Sequence, residues 1–234
     1  PDGRWGEPKN LGTPVNTPED EQSPFIHPDG QTLYFMSNGL PGMGAFDLYL
    51  SRRQSDGTWA EPQNLGYPIN TEGNEGALFV SLDGKTAYFA TDILKLKEGV
   101  SSFDNPQGKG TTDIFYFEMP EQNRPQPVTY VKATISDAIT QKRIAAKVEF
   151  IELQSGQIYA SAHTEADGEF LVTLPAGKDY ALNVSKDKYL FHSENFALTT
   201  AGTAEHPFLL DISLMPITGN GGEKPKPVVL KNVF

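Results

Sequence analysis

A passage of thirteen residues near the start of this chain returns 54 residues later, and this repeat limits the fold more than any other feature. Trp5-Gly-Glu-Pro-Lys-Asn-Leu-Gly-Thr-Pro-Val-Asn-Thr17 recurs as Trp59-Ala-Glu-Pro-Gln-Asn-Leu-Gly-Tyr-Pro-Ile-Asn-Thr71. The register continues without a gap, so that 16 of the 33 residues in 5–37 are identical to their counterparts in 59–91. A period of this length indicates one supersecondary unit that packs against its own copy. A catalytic residue is rarely needed once per unit, so the repeat favours a binding or scaffolding protein.

Turn and strand signals inside the repeat predict β-structure. Asp29-Gly30 and Asp83-Gly84 each lie between apolar runs, as in a tight hairpin whose turn requires a positive φ. In the first copy a glycine-rich loop, 39–44, leads to a third strand that begins near Asp47. Each copy is therefore expected to form a small antiparallel sheet.

The two copies differ in the loop before their third strand. The offset from Asp47 to Asp113 is 66 rather than 54, so that 12 extra residues lie in the loop 91–112. Insertions in repeat proteins map to loops on one face, which is often the binding face. This loop is either a tolerated surface insertion or, with the glycine-rich loop 39–44, a contact surface for a partner.

The second half of the chain has a different pattern. Residues 121–127 are rich in Pro and polar side chains, which is typical of a linker. Seven short β-rich runs with turns between them follow in 128–216 and predict a β-sandwich. The runs are 128–136, 147–153, 158–164, 169–174, 180–185, 189–196 and 208–215. Residues 217–227 are expected to be a second flexible linker, and because helical periodicity is absent throughout, the predicted fold class is all-β.

Composition excludes several classes of function. The net charge of −11 argues against nucleic acid as a partner, because phosphate recognition needs a basic surface. The absence of Cys excludes disulfides and thiol catalysis, and no apolar segment is long enough to span a bilayer. The chain begins at Pro1 in mid-pattern, so it is expected to be a piece of a longer polypeptide.

The repeat resembles a known family of β-propeller units. The pattern Trp-x-Glu-Pro-x-Asn-Leu-Gly-x-Pro-x-Asn-Thr, followed by Pro28-Asp29-Gly30 and Asp47-Leu48-Tyr49, is similar to the TolB-type, WD40-like propeller repeat. The resemblance covers residues 1–120 and implies two blades of a partial β-propeller. A propeller needs about four or more blades, so either further blades or a partner is expected to cover the open strand edges.

Two further segments carry resemblances. Residues 128–216 are similar to a transthyretin-like, carboxypeptidase-regulatory-like β-sandwich, on the basis of 133–140, 164–170 and 174–180. Residues 217–234 are identified as a linker and the start of a truncated OmpA-like domain, because 229–234 resemble the entry strand of that domain.

This order of domains resembles OmpA-family envelope proteins, which include a component of the type IX secretion system. The resemblance implies a noncatalytic scaffold in the periplasm, at the outer membrane of a Gram-negative bacterium. The implied partners are other envelope or secretion-system proteins, and peptidoglycan through a domain beyond Phe234. The alternatives are an accessory part of a secreted peptidase, or a carbohydrate-binding module that uses exposed aromatic rings.

The chain shows no motif for catalysis or for a cofactor. It lacks a nucleophile elbow and a phosphate-binding loop, and the four histidines, which are expected at the surface or at strand edges, have no metal-ligand spacing. Glu19-Asp20-Glu21, Asp47, Asp104 and Asp113 offer carboxylates to Ca²⁺, but a twelve-residue calcium loop is absent. We therefore predict no catalytic, cofactor or metal site.

The recurring residues are interpreted as structural positions of the repeat. The Asp-Gly pairs are expected to stabilise turns, the recurring Asn residues to tie loop backbone between units, and Tyr34, Phe35, Tyr88, Phe89 and the two Trp residues to form core. The positions are Trp5, Asn16, Asp29, Gly30, Asp47, Trp59, Asn70, Asp83, Gly84 and Asp113.

Overall fold

The computed structural model describes residues 6–91, 112–198 and 208–217, and it confirms the prediction of an all-β chain. In this part of the chain the helical structure is one 3₁₀ turn, Glu121–Asn123, which is far too short to cross a bilayer. The strands are β1 (Glu21–Ile26), β2 (Thr32–Ser37), β3 (Asp47–Arg52), β4 (Gln63–Asn64), β5 (Glu75–Val80), β6 (Thr86–Thr91), β7 (Asp113–Glu118), β8 (Val128–Asp137), β9 (Lys147–Glu152), β10 (Ile158–His163), β11 (Glu169–Pro175), β12 (Asp179–Ser185), β13 (His192–Ala197) and β14 (Phe208–Leu214).

The described chain divides into two compact units. The first contains 6–91, 112–129 and 173–176, and the second contains 130–172, 177–198 and 208–217. The first unit holds both copies of the repeat. The domain boundaries at 120 and 128 stay predictions.

Each copy of the repeat forms one antiparallel sheet, in the order β1-β2-β3-β4 for the first copy and β5-β6-β7 for the second. The first strand of each sheet has a bulge, and Ser23 and Ala77, which are 54 residues apart, adopt φ values of 48° and 43° there. A bulge places one extra residue in a strand and increases its local twist. The two copies therefore share this irregularity as well as their strands.

The short strand β4 joins the two copies. It lies at the start of the second copy, yet it pairs with β3 of the first, with Asn64 opposite Tyr49 and Gln63 opposite Leu50. The second copy thus completes the sheet of the first.

The two sheets pack face to face around one apolar core. Side chains that alternate along β2 and β3 place Tyr34, Leu48 and Leu50 against the second copy, where they are at most 1% exposed. The second copy contributes buried residues from its first loop and from both of its first two strands. They are Leu65, Ile69, Leu78, Val80, Ala87 and Phe89.

The prediction of a partial β-propeller is corrected by the sheet topology. The described strands form four open sheets, and none of these closes or belongs to a ring of sheets. Asp-Gly turns and alternating apolar residues are requirements of any antiparallel meander, so they predict the strands without predicting closure.

The second unit contains two sheets, in the orders β10-β9-β12-β13 and β11-β8-β14. In the three-stranded sheet β8 and β14 run parallel, whereas all three pairs in the four-stranded sheet are antiparallel. Phe150 of one sheet contacts Phe170 of the other, with ring centroids 6.1 Å apart. Alternate residues of β12, namely Tyr180, Leu182 and Val184, are fully buried.

A glycine turn in the second unit gives a test of this packing. Gly168 has a φ of +65°, and a Cβ atom there would lie 2.3 Å from the carbonyl oxygen of Ile135. Gly156 has a similar φ of +68° but open space around its Cα. Gly156→Ala should cost about 1 kcal/mol of unfolding free energy, because only the left-handed backbone opposes it. Gly168→Ala should cost at least twice as much in urea denaturation, and equal losses for the two variants would contradict the close contact.

Candidate interaction surface

The recurring Asn70 ties the two copies together. Its Oδ1 accepts a hydrogen bond from Leu48 N at 2.8 Å, and its Nδ2 donates to Leu48 O at 2.9 Å and to Asn64 Oδ1 at 2.7 Å. The side chain is fully buried. Asn70 therefore satisfies both backbone groups of a strand residue in the preceding copy.

Asn16 occupies the same position in the first copy but has different neighbours. Its side chain contacts Glu21, while its Oδ1 is buried without a hydrogen-bond partner in the described part of the chain. A buried acceptor without a donor costs free energy comparable to a lost hydrogen bond.

The two recurring Asp residues bind the turns that follow them. Asp29 accepts hydrogen bonds from Gln31 N, Thr32 N and Thr32 Oγ1, and also from Gln126 N at 3.0 Å. Asp83 accepts from Ser81 Oγ and Lys85 N. Gly30 and Gly84 adopt φ values of +68° and +74°, as these tight turns require.

The extra contacts make Asp29 the more strongly held of the pair. Burial opposes ionisation, but the nearby His27 ring and the hydrogen bonds from Gln31 and Thr32 outweigh it and lower the pKa of Asp29 to about 2. The same balance lowers the pKa of Asp83, where burial is outweighed by Ser81 and Lys85.

The expectation of surface or strand-edge histidines is wrong for His27, which is fully buried. Its Nδ1 lies 3.2 Å from Asp29 N, and its Nε2 lies within hydrogen-bond distance of Ser81 O, at 3.1 Å. Ser81 is the counterpart of His27 in the second copy, so this bond joins equivalent turns. His163 is exposed, His192 lies in the edge strand β13, and His206 lies outside the described residues.

Asp47 organises the glycine-rich loop rather than a ligand site. Its carboxylate accepts hydrogen bonds from Met43 N and Gly44 N at 3.0–3.1 Å. A Cβ atom on Gly42 would lie 1.9 Å from Asp47 Oδ2, so the loop needs glycine to pack on the sheet. The counterpart Asp113 is half-buried at the start of β7, opposite Thr91.

The predicted aromatic core is correct in part. Tyr34, Phe35 and Phe89 are buried, and Trp59 packs against the cluster of Val15, Leu33, Phe35 and Tyr49. Tyr88 is 46% exposed, so its assignment to the core is wrong. Trp5 lies outside the described residues.

Two recurring carboxylates were not singled out by the sequence patterns as a repeated pair. Glu21 accepts from Thr17 N, Thr17 Oγ1 and Ser37 Oγ, while Glu75 accepts from Thr71 N and Thr71 Oγ1. Burial opposes ionisation at both. The hydrogen bonds outweigh it and lower the pKa of Glu21, whereas burial prevails and raises the pKa of Glu75. The spacing of Thr and Glu by four residues in both copies is the signal that identifies them.

The acidic residues do not assemble a metal site where the structure describes them. Within 6–91, 112–198 and 208–217, no group of three or more His, Asp or Glu side chains is placed to hold a metal ion. The sequence also offered the insertion 91–112 and Asp104 as candidates. Only the end residues of that insertion are described, and Asp104 lies outside the described ranges.

An apolar pocket of about 210 Å³ lies on one face of the second-copy sheet. It is lined by Leu65, Ile69, Phe89, Phe117 and other residues near Pro68.

The opposite face of the same sheet exposes large apolar side chains, and we call it the outer face. It consists of Tyr88, Ile114 and Tyr116, which are 46%, 81% and 62% exposed. The alternation along β6 and β7 places them together, and the rings of Tyr88 and Tyr116 lie 6.1 Å apart. Their counterparts in the first copy are Tyr34, Leu48 and Leu50, which are buried between the two sheets. The outer face is therefore the surface that the first copy buries and the second copy leaves open.

Comparisons with known proteins identify no family. No family model matches the chain, and no curated protein matches it. The solved structures that match include the group B streptococcus pilus 2b backbone protein, with 10% identity, a TM-score of 0.36, and coverage of 84% of this chain and 83% of that one.

Two proteins of Lactobacillus rhamnosus GG also match. The C-terminal fragment of the pilus adhesin SpaC has 12% identity, a TM-score of 0.32 and coverage of 81% and 78% of the two chains. The shaft pilin SpaA has 12% identity, a TM-score of 0.29 and coverage of 91% and 95%. With TM-scores below 0.5, these likenesses carry no argument about relationship or activity.

The resemblance to OmpA-family envelope proteins is wrong, and so is the assignment to the type IX secretion component PorE. The described sheets do not form a propeller, and neither a family model nor a curated protein shows a relation to OmpA. The motifs behind that resemblance were short turn and strand signals, which many β-proteins need for the same physical reasons.

The two Asn residues provide a matched pair of substitutions. Asn70→Ala should lower the unfolding free energy by about 2 kcal/mol, because it leaves Leu48 N buried without its partner and removes one of the two hydrogen bonds that Leu48 O accepts. Asn16→Ala should cost less than half as much, since Asn16 contacts the side chain of Glu21 in its own copy rather than the strand backbone of another copy. Urea denaturation monitored by tryptophan fluorescence measures both. Equal losses for the two variants would show that Asn70 does not hold the copies together.

The depressed pKa of Asp29 predicts a pH dependence of stability. A carboxyl with a folded pKa of about 2 stabilises the fold fully above its unfolded pKa near 4, and this contribution is lost as the pH falls through 2. Asp29→Asn should therefore lower the free energy of unfolding by about 2 kcal/mol at pH 7, and the difference in unfolding free energy from wild type should narrow below pH 4. Asp83→Asn is the control and should show a smaller gap. A gap for Asp29→Asn that stays constant between pH 3 and pH 7 would contradict this assignment.

Proposed function

We propose that this chain is a noncatalytic protein-interaction module whose contact surface is the outer face. One observation carries the proposal: Tyr88, Ile114 and Tyr116 are exposed, whereas their first-copy counterparts are buried against another sheet. Large apolar side chains that are exposed together on a soluble surface mark interaction sites. Aromatic residues are also enriched in the centres of protein interfaces.

The geometry of the site also supports binding rather than chemistry. The buried polar residues of the repeat, Asp29, Asp47, Asn70 and Glu75, each bind backbone groups or side chains of their own unit. They are engaged in holding turns and strands, so they are not free to act on a substrate. A periplasmic location at the outer membrane stays a prediction, which fractionation of the source cell tests.

A carbohydrate-binding module is the second candidate. The exposed pair Tyr88 and Tyr116 favours it, because sugar rings stack on aromatic faces. Titration with a panel of glycans, monitored by tyrosine fluorescence, separates the two candidates: saturable quenching that is lost in Tyr88→Ala and Tyr116→Ala supports the glycan site.

A photo-crosslinker tests the protein-interaction proposal directly. A benzoylphenylalanine at Tyr116, in the cell that makes the full-length protein, should trap a defined protein adduct on irradiation. The same group at Ile139, which is also 62% exposed but lies in the second unit, is the matched control. Introducing Ile114→Arg should abolish the Tyr116 adduct, because a buried unpaired guanidinium opposes binding. No adduct at Tyr116, or equal adducts at both positions, would refute the proposal.

A further inference from the structure

The contact between the two copies of the repeat is a template for a second contact. Within the chain, Leu48 N donates to Asn70 Oδ1, and Leu48 O accepts from Leu65 N at 3.0 Å. The pairing continues with Leu50 opposite Gln63. One strand edge and one loop with a short strand therefore recognise each other through backbone hydrogen bonds and apolar side chains.

The strand edge of this contact recurs in the second copy, where no described strand pairs with it. The strand β7 is the counterpart of β3, with Ile114 in the place of Leu48 and Tyr116 in the place of Leu50. In the described part of the chain β7 is the last strand of its sheet, and both side chains are exposed. A strand edge of this kind is a template for pairing with another chain.

The loop that binds this edge recurs in the first copy, where no described strand occupies it. Lys9, Asn10 and Leu11 are the counterparts of Gln63, Asn64 and Leu65, but they belong to no sheet. They border a groove of about 200 Å³, which Val15, Pro24, Leu33 and Phe35 also line. Leu11 is 50% exposed, whereas Leu65 is only 6% exposed.

Asn16 points to what the groove binds. It lines the groove, and its Oδ1 has no hydrogen-bond donor among the described residues. The counterpart oxygen, on Asn70, accepts from a strand N–H. The missing group at Asn16 is thus the backbone N–H of an extended strand, in the position that Leu48 takes at Asn70.

We infer that this strand edge and this loop bind each other between copies of this chain, with β7 of one copy in the groove of the next. This inference rests on the proposed function, because the outer face is the surface that becomes buried. Ile114 N donates to the neighbour's Asn16 Oδ1, Ile114 O accepts from Leu11 N, and Tyr116 lies opposite Lys9. The contact is a β-strand addition, in which the main chain supplies hydrogen bonds and alternate side chains supply specificity.

The two sides are different surfaces, so the association is head-to-tail and does not close by itself. A heterologous contact of this kind builds open chains unless its rotation closes a ring. The register also places Glu118 opposite the neighbour's Glu7, and each 234-residue chain carries a net charge of −11. Arg124 lies 2.9 Å from Glu118 and offsets part of this repulsion. Association should therefore strengthen with added salt, which screens like charges.

Sedimentation velocity of the full 234-residue chain with end-blocked variants tests the inference. The wild type should form dimers and longer species as its concentration rises to about 100 μM, a range that detects weak complexes. Leu11→Arg blocks the groove and Ile114→Arg blocks the strand, and each variant alone should associate at least tenfold more weakly. An equimolar mixture should form dimers only, because each variant keeps one intact side. Ile139→Arg controls for the added charge and should behave as wild type.

The absence of Cys allows the register to be tested by disulfides. Lys9→Cys with Tyr116→Cys should give a reducible ladder of linked copies on mild oxidation. Lys9→Cys with Phe117→Cys is the control and should give little, because a one-residue shift points the side chain to the other face.

These outcomes separate the inference from the proposed function. A monomeric wild type, or blocked variants that do not form dimers on mixing, would overturn self-association. If the photo-crosslinker at Tyr116 then traps a different protein, the proposed function stands without self-association. If it traps no protein, both are wrong. Circular dichroism of each variant shows whether it has folded.

Discussion

The packing of one sheet face on the next is the constraint on which the first unit depends. A three-stranded sheet has two faces, and each needs cover if its apolar residues are to leave water. In the first copy Tyr34, Leu48 and Leu50 gain that cover from the second copy, and Asn70 fixes the distance by holding both backbone groups of Leu48. The short strand β4 adds register to this contact. Two copies in a row always leave one face of this kind without its partner.

Equivalent positions in the repeat keep their geometry but change their electrostatics. Glu21 and Glu75 both accept hydrogen bonds from a threonine four residues earlier, yet the pKa of Glu21 is lowered and that of Glu75 is raised. The difference follows from burial, since Glu75 is fully buried and Glu21 is only half-buried. The sequence of a repeat therefore specifies which hydrogen bonds form, while the position of the repeat in the chain determines how far burial offsets their effect on the pKa.

Much of the fold was predictable because strands and turns have local signals. The 54-residue period predicted the first two strands of each copy, and the motif that begins at Asp47 and Asp113 predicted β3 and β7, whereas the short strand β4 was not predicted. Alternation predicted the seven strands of the second unit to within a few residues. Whether the sheets close into a propeller was not predictable, because closure depends on how sheets pack rather than on any local sequence pattern. The exposure of Tyr88 was missed for a related reason: it is identical to Tyr34 in the sequence but lies in the last copy. His27 was missed because it directly precedes a Pro-Asp-Gly turn, a position that is usually at the surface.

In the proposed association, the groove near Asn16 selects the register of the strand that binds, in addition to the binding strength that the outer face provides. Apolar area alone would let the outer face bind many surfaces, with little preference for orientation. The groove adds two requirements, a strand N–H for Asn16 and a carbonyl for Leu11 N, and these groups must lie on one residue. A strand shifted by one residue would turn Ile114 and Tyr116 away from the groove and leave Asn16 without its donor. The strength of the contact thus comes from side chains, whereas its register comes from the backbone and a single amide.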